Sequence, residues 1–110
     1  MPEYISIDDF KKVEIKIGEI KSAERIEGSD KLLKLIVNFG DHERQVLSGI
    51  AAYFPDPAEL VGKRCPFATN LAPRTMMGLE SQAMILATGG DSETPFALFE
   101  TAGAPGARVR

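Results

Sequence analysis

The order of five short apolar segments constrains the fold of this chain more than any other feature of its sequence. Along VEIKIGEIKSAE, apolar and polar residues alternate with a period of two, which predicts a half-buried strand that begins near Val13. KLLKLIVNFG and RQVLSGI predict a second and a third strand, and KRCPFATNL and QAMILATG a fourth and a fifth. The segment PAEL predicts a short helical turn between the third and fourth strands. The predicted order is therefore three strands, a helical insertion and two further strands.

This order is that of an all-β, five-stranded OB-fold barrel, which is a small Greek-key architecture. We expect one domain of 110 residues, with a core at about 5–88 and a C-terminal extension at about 89–110. In this fold the face of strands 2 and 3 and two loops form the usual binding side. Those loops are predicted at Glu24 to Asp30 and at Leu71 to Ser81.

Two local signals refine this prediction. Ser6 followed three residues later by Asp9 is a capping-box pattern, which predicts a short helix over Ile7 to Lys12. Gly18 inside the first strand predicts a bulge or a sharp bend.

Composition and charge exclude several classes of protein. Cys65 is the only cysteine, so the chain forms no internal disulfide, which indicates a reduced, cytoplasmic setting. No apolar run approaches the roughly 20 residues of a membrane helix, and the N-terminus lacks a signal-peptide pattern, so we expect no membrane partner. The net charge of −3 excludes a uniformly basic surface. Residues 60–89 nevertheless carry Lys63, Arg64 and Arg74 against Glu80 alone, which leaves room for a local basic face.

The sequence offers no set of residues for catalysis or for metal binding. His42 is the only histidine and lies in a predicted turn, which is typical of a solvated residue. Cys65 begins an apolar strand with no histidine near it in sequence, which favours a small core residue. One histidine and one cysteine are too few ligands for a metal site, and no glycine-rich phosphate loop is present. We therefore predict a chain that is not an enzyme and that has no cofactor and no metal.

Cations around the first loop are candidate phosphate contacts. Lys31 follows the turn residues Gly28 to Asp30 and is either a solvated turn lysine or a phosphate contact. In the second interpretation Arg25 and Arg44 extend the same patch. Lys34 falls on the opposite face from Lys31 in a regular strand. Ser48 shares a face with Arg44 and contributes to RNA binding only if it lines the same groove as the loop cations.

The second loop, NLAPRTMMGLES, combines a cation with adjacent methionines. Pro73 fixes a turn, and Gly78 predicts a positive φ or a close approach. Methionines most often fill core gaps, but Met76 and Met77 cannot easily both point inward. We expect at least one of them to face a groove beside Arg74, where it would suit a base or a sugar of RNA. With no tryptophan and two tyrosines in the chain, aromatic stacking is not expected to dominate.

These motifs resemble those of one known family. IDDFKKVEIKIGEI, EGSDKLLKL, RQVLSGI, LVGK, NLAPRTMMGLESQAMILA and PGARVR closely resemble the tRNA-binding domain at the C-terminus of bacterial methionyl-tRNA synthetase. This domain also occurs as a free-standing dimeric tRNA-binding protein and as a module of eukaryotic synthetase cofactors. The match spans Ile5 to Arg110. It implies an OB-fold, a homodimer assisted by the C-terminal extension, and recognition of tRNA by shape near its elbow without catalysis.

The resemblance also implies a set of RNA contacts. At matching positions these are Ser29, Asp30, Lys31, Ser48, Asn70, Pro73, Arg74, Ser81 and Met84. The candidate set is completed by the cations Arg25, Lys34 and Arg44. Arg74 and Ser81 are expected to contact the RNA backbone, while Met84 supplies apolar contact. The sequence departs from the family at Ala83, which adds a methyl group where relatives usually have a glycine that permits close approach.

Several interpretations stay open at this point. The main one is a non-catalytic tRNA-binding module, either a free-standing dimer or the C-terminal domain of a methionyl-tRNA synthetase. Its implied partners are tRNA, a second copy of the chain and, in the synthetase, the catalytic part. The alternative is a dimeric OB-fold chaperone for unfolded or exported polypeptides, which the acidic balance and the methionine-rich loop favour. A third interpretation is a dimerisation tether without RNA affinity.

Overall fold

A curled antiparallel sheet of five strands forms the main body of the computed structural model, which describes residues 3–91 and 93–110. A short helix, α1 (Ile7–Lys11), precedes the strands, and two 3₁₀ turns, Ala51–Tyr53 and Pro57–Leu60, separate the third strand from the fourth. The strands are β1 (Ile15–Arg25), β2 (Leu33–Asn38), β3 (Glu43–Ser48), β4 (Arg64–Ala68), β5 (Arg74–Met76), β6 (Leu79–Ser81), β7 (Met84–Ile85), β8 (Ala87–Thr88) and β9 (Ala97–Leu98). The order in the main sheet is β3-β2-β1-β4-β7, and the order along the chain is three strands, a helical insertion and two further strands, as predicted.

The alternation of apolar and polar residues places one face of the sheet inside the barrel. In β2, Leu33, Leu35 and Val37 are buried, and the residues between them are half-exposed. Leu35 pairs with Val46 of β3, so that the buried side chains of neighbouring strands meet on the same face. These residues belong to one core cluster that also contains Leu60 of the second 3₁₀ turn. The helical insertion therefore covers the barrel from one side.

Gly18 permits close packing of β1 against β2, and the bulge predicted there is wrong. The residue pairs in register with Cys65, and the register shift of β1 lies between Ile20 and Ser22 instead. A Cβ atom at Gly18 would overlap Val37 Cγ1 and would lie 2.8 Å from Phe39 Cε1. The glycine is thus required by the side chains that lie over it.

The second predicted loop contains a β-hairpin that the sequence did not indicate. β5 and β6 pair through a two-residue turn in which Met77 has φ 52° and Gly78 has φ 77°. Two successive positive φ angles are the signature of a type I′ turn, whose twist matches that of the flanking strands. The positive φ predicted at Gly78 is confirmed. The segment predicted as a fifth strand is divided into β7 and β8, and β8 pairs with β9.

The N-terminal helix is locally capped, and the C-terminal end of the described chain lies against β1. Ser6 Oγ accepts a hydrogen bond from the Asp9 amide at 3.0 Å, which confirms the predicted helix cap, and α1 ends one residue earlier than predicted. At the other end, Val109 N–H donates to the carbonyl of Ile15 at 2.8 Å, and the amide of Gly106 donates to Ile17. The C-terminal extension therefore folds back onto the barrel. In the part of the chain that the structure describes, no helix has the length and apolarity needed to span a membrane.

Candidate nucleic-acid interface

Three separate segments meet at one end of the barrel, which we call the loop end: residues 26–32, residues 48–55 and the β5–β6 hairpin. The Lys31 carbonyl accepts a hydrogen bond from the amide of Ala51 at 3.0 Å. On the other side of the first loop, a Cβ atom at Gly28 would lie 3.4 Å from Met77 Cε. The two loops that the sequence assigned to the binding side are therefore in contact.

Ser29 shapes the first loop. Its hydroxyl oxygen accepts hydrogen bonds from the amides of Lys31 at 3.3 Å and Leu32 at 3.1 Å. A serine that bonds to amides two and three residues ahead holds the backbone in a turn. Asp30 and Lys31 consequently project from a fixed turn and are exposed. Ser48 lies nearby as the half-buried end of β3, where it pairs with Leu33 and shares the face of Val46, as predicted.

Lys31 and Arg74 are the candidate cations whose charges are free. Within residues 3–91 and 93–110, neither side chain has an ion pair or a hydrogen bond, a property that they share with Lys11 and Arg110. Lys31 and Arg74 each stand three residues from the contact between Gly28 and Met77. The two cations therefore lie on two loops that are in contact with each other.

The other candidate cations are engaged within the fold. Lys34 Nζ lies 2.8 Å from a carboxylate oxygen of Glu24. Arg25 donates through Nη2 to the carbonyls of Phe54 and Pro55, at 3.5 and 3.2 Å. Arg25 thus ties the end of β1 to the segment after the first 3₁₀ turn, and Lys34 is partly neutralised.

Arg44 stabilises the barrel wall at some distance from Lys31. Its Nη1 donates to the carbonyls of Thr69 at 2.7 Å and Gln82 at 3.3 Å, and its guanidinium lies 5.5 Å from the centre of the Phe39 ring. Arg44 stands near the start of β3 and Ser48 at its end, about 13 Å away along the strand. The structure therefore does not join Arg44 to the patch at the loop end.

His42 and Asp41 lie beside Arg44. Arg44 Nε donates to His42 Nε2 at 3.0 Å, and His42 Nδ1 lies 2.5 Å from an Asp41 carboxylate oxygen. The hydrogen bond from His42 lowers the pKa of Asp41 below its ordinary value. Both residues are exposed, as predicted for a solvated turn. Among the described residues, no three His, Cys, Asp or Glu side chains are grouped so that they could hold a metal ion.

Cys65 is a core residue, as the sequence indicated. The side chain is fully buried within the core cluster. Burial raises the pKa of its thiol to about 11, so the group is protonated at neutral pH and is not a nucleophile there.

Two polar residues of the predicted contact set hold the second loop in place. Asn70 Oδ1 accepts from the Glu14 amide at 2.8 Å, and its Nδ2 donates to the Lys12 carbonyl at 2.6 Å. Ser81 is only 6% exposed, and its hydroxyl accepts from the amide of Leu47 at 3.0 Å and donates to the carbonyl of Ala83 at 3.1 Å. The Ser81 hydroxyl that was expected to contact RNA is thus committed to the barrel wall.

A small groove lies between the hairpin and the barrel. Its volume is about 100 Å³, and its lining includes Leu47, Leu71, Arg74, Met76, Ala83 and Met84. Met76 lines the groove as predicted for one of the adjacent methionines, while Met77 stands at the hairpin tip and is 55% exposed. Met84 is 49% exposed and Pro73 is exposed on the loop before β5. Ala83 is buried in the core cluster and also lines this groove, so the departure from the family lies at the groove wall.

Glutamine contacts that sequence reasoning missed close the barrel beside this groove. The Gln45 amide donates to Gln82 Oε1 at 3.0 Å, and Gln45 Nε2 donates to the Glu80 carbonyl at 2.9 Å. The Gln82 amide donates in turn to the carbonyl of Gln45 at 2.9 Å. These bonds occupy the outer edge of β3 and join it to the hairpin. Isolated glutamines carry no sequence signal of such pairing.

Several known proteins are similar to this chain in sequence. Residues 15–108 match a family model described as "Putative tRNA binding domain". The chain is 50% identical over 108 residues to the methionine–tRNA ligase of Methanoregula boonei, covering 96% of this chain and 16% of the ligase. For the ligase of Caldanaerobacter subterraneus, identity is 45% over 91 residues, covering 83% of this chain and 14% of the ligase. The chain thus spans a small part of these enzymes.

Solved structures show the same fold. The crystal structure of a MetRS-related protein from Pyrococcus horikoshii superimposes with a TM-score of 0.91 at 39% identity, covering 99% of this chain and 100% of that protein. The CsaA chaperone from Bacillus anthracis superimposes with a TM-score of 0.83 over 98% of this chain and 100% of the chaperone. Its identity of 19% supports a shared fold alone. The predicted OB-fold is confirmed by these likenesses.

Proposed function

The chain belongs to the tRNA-binding domain family, and on this premise we propose that it is a non-catalytic module that binds tRNA by shape near the elbow. It supports aminoacylation by methionyl-tRNA synthetase, beside the catalytic part of that enzyme, or acts as a free-standing tRNA-binding protein. It works in the cytoplasm without a membrane partner. The observation that carries the proposal is the pair of free cations, Lys31 and Arg74, one on each of the two loops that are in contact.

The proposal depends on contacts made by individual cations and not on a net positive charge. Phosphate contacts supply most of the affinity of RNA-binding proteins, and they act within a Debye length of about 8–10 Å in physiological salt. Some acidic groups are neutralised by ion pairs, as in Glu19 with Arg64 and Glu100 with Lys63. The loop end itself carries Glu27, Asp30 and Glu80 beside Lys31 and Arg74, so the proposed phosphate contacts depend on these two individual cations.

The predicted contact set divides into two groups in this proposal. Residues that touch RNA are exposed or half-buried at the loop end or the groove, namely Asp30, Lys31, Ser48, Pro73, Arg74 and Met84. Residues that position these groups each have at least one polar atom bonded within the fold, namely Arg25, Ser29, Lys34, Arg44, Asn70 and Ser81.

Fluorescence anisotropy of a labelled tRNA transcript tests the proposal. We expect saturable binding whose association constant falls as the salt concentration rises, and which survives an excess of unlabelled duplex RNA. The salt dependence reports phosphate contacts, and the duplex competitor separates tRNA shape from general affinity for A-form RNA. No binding at low salt would contradict the proposal.

The groove favours one competing function, the binding of unfolded polypeptides. Its methionines, Met76 and Met84, form an adaptable apolar surface of the kind that accepts varied side chains. Apolar binding is maintained or strengthened by salt, whereas phosphate binding is weakened. The same titration with a labelled unfolded polypeptide therefore separates the two functions.

We further propose that the chain forms a homodimer through an apolar groove beside the C-terminal extension. The groove is lined by Ile15, Ile17, Pro66, Leu86, Phe99 and Val109, with few polar atoms. Phe99 is 51% exposed, and Phe10 and Val13 of a neighbouring groove are also exposed. Such a continuous apolar surface is typical of an interface. When one copy of a dimer binds a tRNA, the effective concentration of the second copy at the same tRNA rises, and this increases the affinity of the dimer.

Phe99→Asp is expected to convert the dimer into a monomer, because it places a carboxylate in the apolar groove. Light scattering after size exclusion should show the mass falling from twice that of the chain to that of one chain. Val61→Asp is the matched control, since Val61 is equally exposed (50%) at the end of the second 3₁₀ turn. Monomeric wild-type protein, or equal effects of both substitutions, would contradict this interface.

A further inference from the structure

A short aromatic stack lies next to the first loop and has no part in the contacts described above. The rings of Tyr53 and Phe96 are nearly parallel, with centroids 4.2 Å apart and an interplanar angle of 21°. Phe54 packs edge-on against Phe96 at 6.0 Å, so Tyr53 is the outer ring. The Tyr53 hydroxyl donates to the Gly90 carbonyl at 3.2 Å, which fixes the ring. Tyr53 remains 45% exposed, although Phe96 covers one of its faces.

Backbone contacts place this stack at the loop end. Tyr53 ends the 3₁₀ turn that begins at Ala51, and Ala51 is hydrogen-bonded to Lys31. Arg25 bonds to the two residues that follow, Phe54 and Pro55, through Nη2 alone. Its Nη1 and Nε therefore remain available for a phosphate. Hydrogen bonds therefore connect the segment that carries the ring to Lys31 through Ala51 and to Arg25 through Phe54.

We propose that Tyr53, supported by Phe96, is a stacking site for an unpaired nucleobase of the bound RNA, with the adjoining phosphates on Lys31 and Arg25. This site rests on the proposed tRNA-binding function and extends it from the backbone contacts of the two loops to a base. A nucleobase stacks on an aromatic face whatever its identity, so the site adds affinity with little sequence preference.

The charges around the Tyr53 ring indicate how the phosphates of the bound RNA would be placed relative to the ring. The hydroxyl edge of Tyr53 faces Gly90, which precedes Asp91. Hydrogen bonds from the amides of Thr94 and Glu93 lower the pKa of Asp91, so this carboxylate is ionised at neutral pH. Phosphates are therefore repelled from the hydroxyl edge, whereas Arg25 and Lys31 attract them.

Tyrosine fluorescence can test the site directly, because the chain has two tyrosines and no tryptophan. In a Tyr4→Phe variant Tyr53 is the only tyrosine, and in a Tyr53→Phe variant only Tyr4 remains. Both proteins are titrated with a single-stranded adenylate hexamer and with a hexamer of the same backbone that lacks bases. We expect the adenylate hexamer to quench Tyr53 well beyond the absorption effect seen with Tyr4, and the abasic hexamer to leave it unchanged.

Affinity measurements give an independent result. Tyr53→Leu is expected to weaken binding of the hexamer and of tRNA about tenfold, while Tyr53→Phe, which keeps the ring, binds as the wild type does. Tyr4→Leu is the matched control, since Tyr4 is 86% exposed and precedes α1. Urea unfolding of each variant checks that the fold is kept.

The outcomes separate this inference from the proposed function. If tRNA binds with the expected salt dependence, but Tyr53 is not quenched and Tyr53→Leu binds normally, the stacking site is wrong and the tRNA-binding module stands. Equal quenching by the abasic hexamer would also overturn the stacking site. Quenching by the adenylate hexamer without any tRNA binding would support the site and contradict the proposed function.

Discussion

Gly18→Ala is expected to lower the free energy of unfolding by about 2–3 kcal/mol, which is a large part of the 5–15 kcal/mol typical of a domain. The added methyl group overlaps Val37 Cγ1 and lies 2.8 Å from the Phe39 ring. Val37 is fully buried and Phe39 nearly so, so neither can move into solvent. The gain from restricting the unfolded chain, about 0.4–1 kcal/mol, offsets only part of this cost.

Urea denaturation followed by far-UV circular dichroism measures the effect as a shift of the midpoint at constant slope. Gly49→Ala is the matched control, because a Cβ atom at Gly49 would have no neighbour within 4 Å and its φ is not positive. Gly49→Ala should therefore leave stability nearly unchanged. Equal stability of the two variants would show that β1 and β2 can separate to admit a methyl group.

Gly18 also bears on the candidate site through Phe39. The Phe39 ring lies under the Arg44 guanidinium, and Arg44 holds the carbonyls of Thr69 and Gln82. Those two residues flank the loop and hairpin that carry the second set of proposed contacts. A displaced Phe39 would thus shift Arg44, and Arg44 would transmit the displacement to the residues beside the groove. We expect Gly18→Ala to loosen the β5–β6 hairpin as well as the core.

The elements that the sequence predicted well are those set by local patterns. The period of two in β2 determines which side chains face the core, and Ser6 caps α1 through an amide only three residues away. In β1 the alternating residues Ile15 and Ile17 line the apolar groove instead, and Ile20 belongs to the core. The hairpin of β5 and β6 could not be predicted in this way. Its turn places Met77 in the left-handed region, where asparagine, aspartate or glycine is the usual signal.

The roles of the polar candidates depend on partners that are remote in sequence. Ser81 bonds to Leu47, which is 34 residues away, and Asn70 bonds to Glu14, which is 56 residues away. A motif shows that such residues matter, but only the fold shows that their hydrogen-bonding groups are already satisfied. The same holds for charges, since Lys34 is paired with Glu24 and Lys31 is not.

Removal of both free cations at the loop end, in the double variant Lys31→Ala and Arg74→Ala, is expected to weaken tRNA binding about 100-fold at low salt. Each charge-assisted contact to phosphate contributes about 1.5 kcal/mol or more, which is about tenfold in affinity. Each lost contact should also reduce the salt slope by about one unit, so the double variant loses about two. Unrelated tRNAs should be affected equally, because phosphate contacts carry no sequence information.

A charge-matched control decides whether position or net charge is responsible. The double variant Lys12→Ala and Lys21→Ala also removes two positive charges from the chain, whose net charge is −3. Lys12 is paired with Asp9, and Lys21 with Glu19, so both are partly neutralised in the fold. We expect this control to bind within about threefold of the wild type, since exposed ion pairs contribute little to long-range attraction. If the two double variants lose affinity equally, binding follows overall charge, and Lys31 and Arg74 do not form a site. A loss confined to one tRNA would instead contradict recognition by shape.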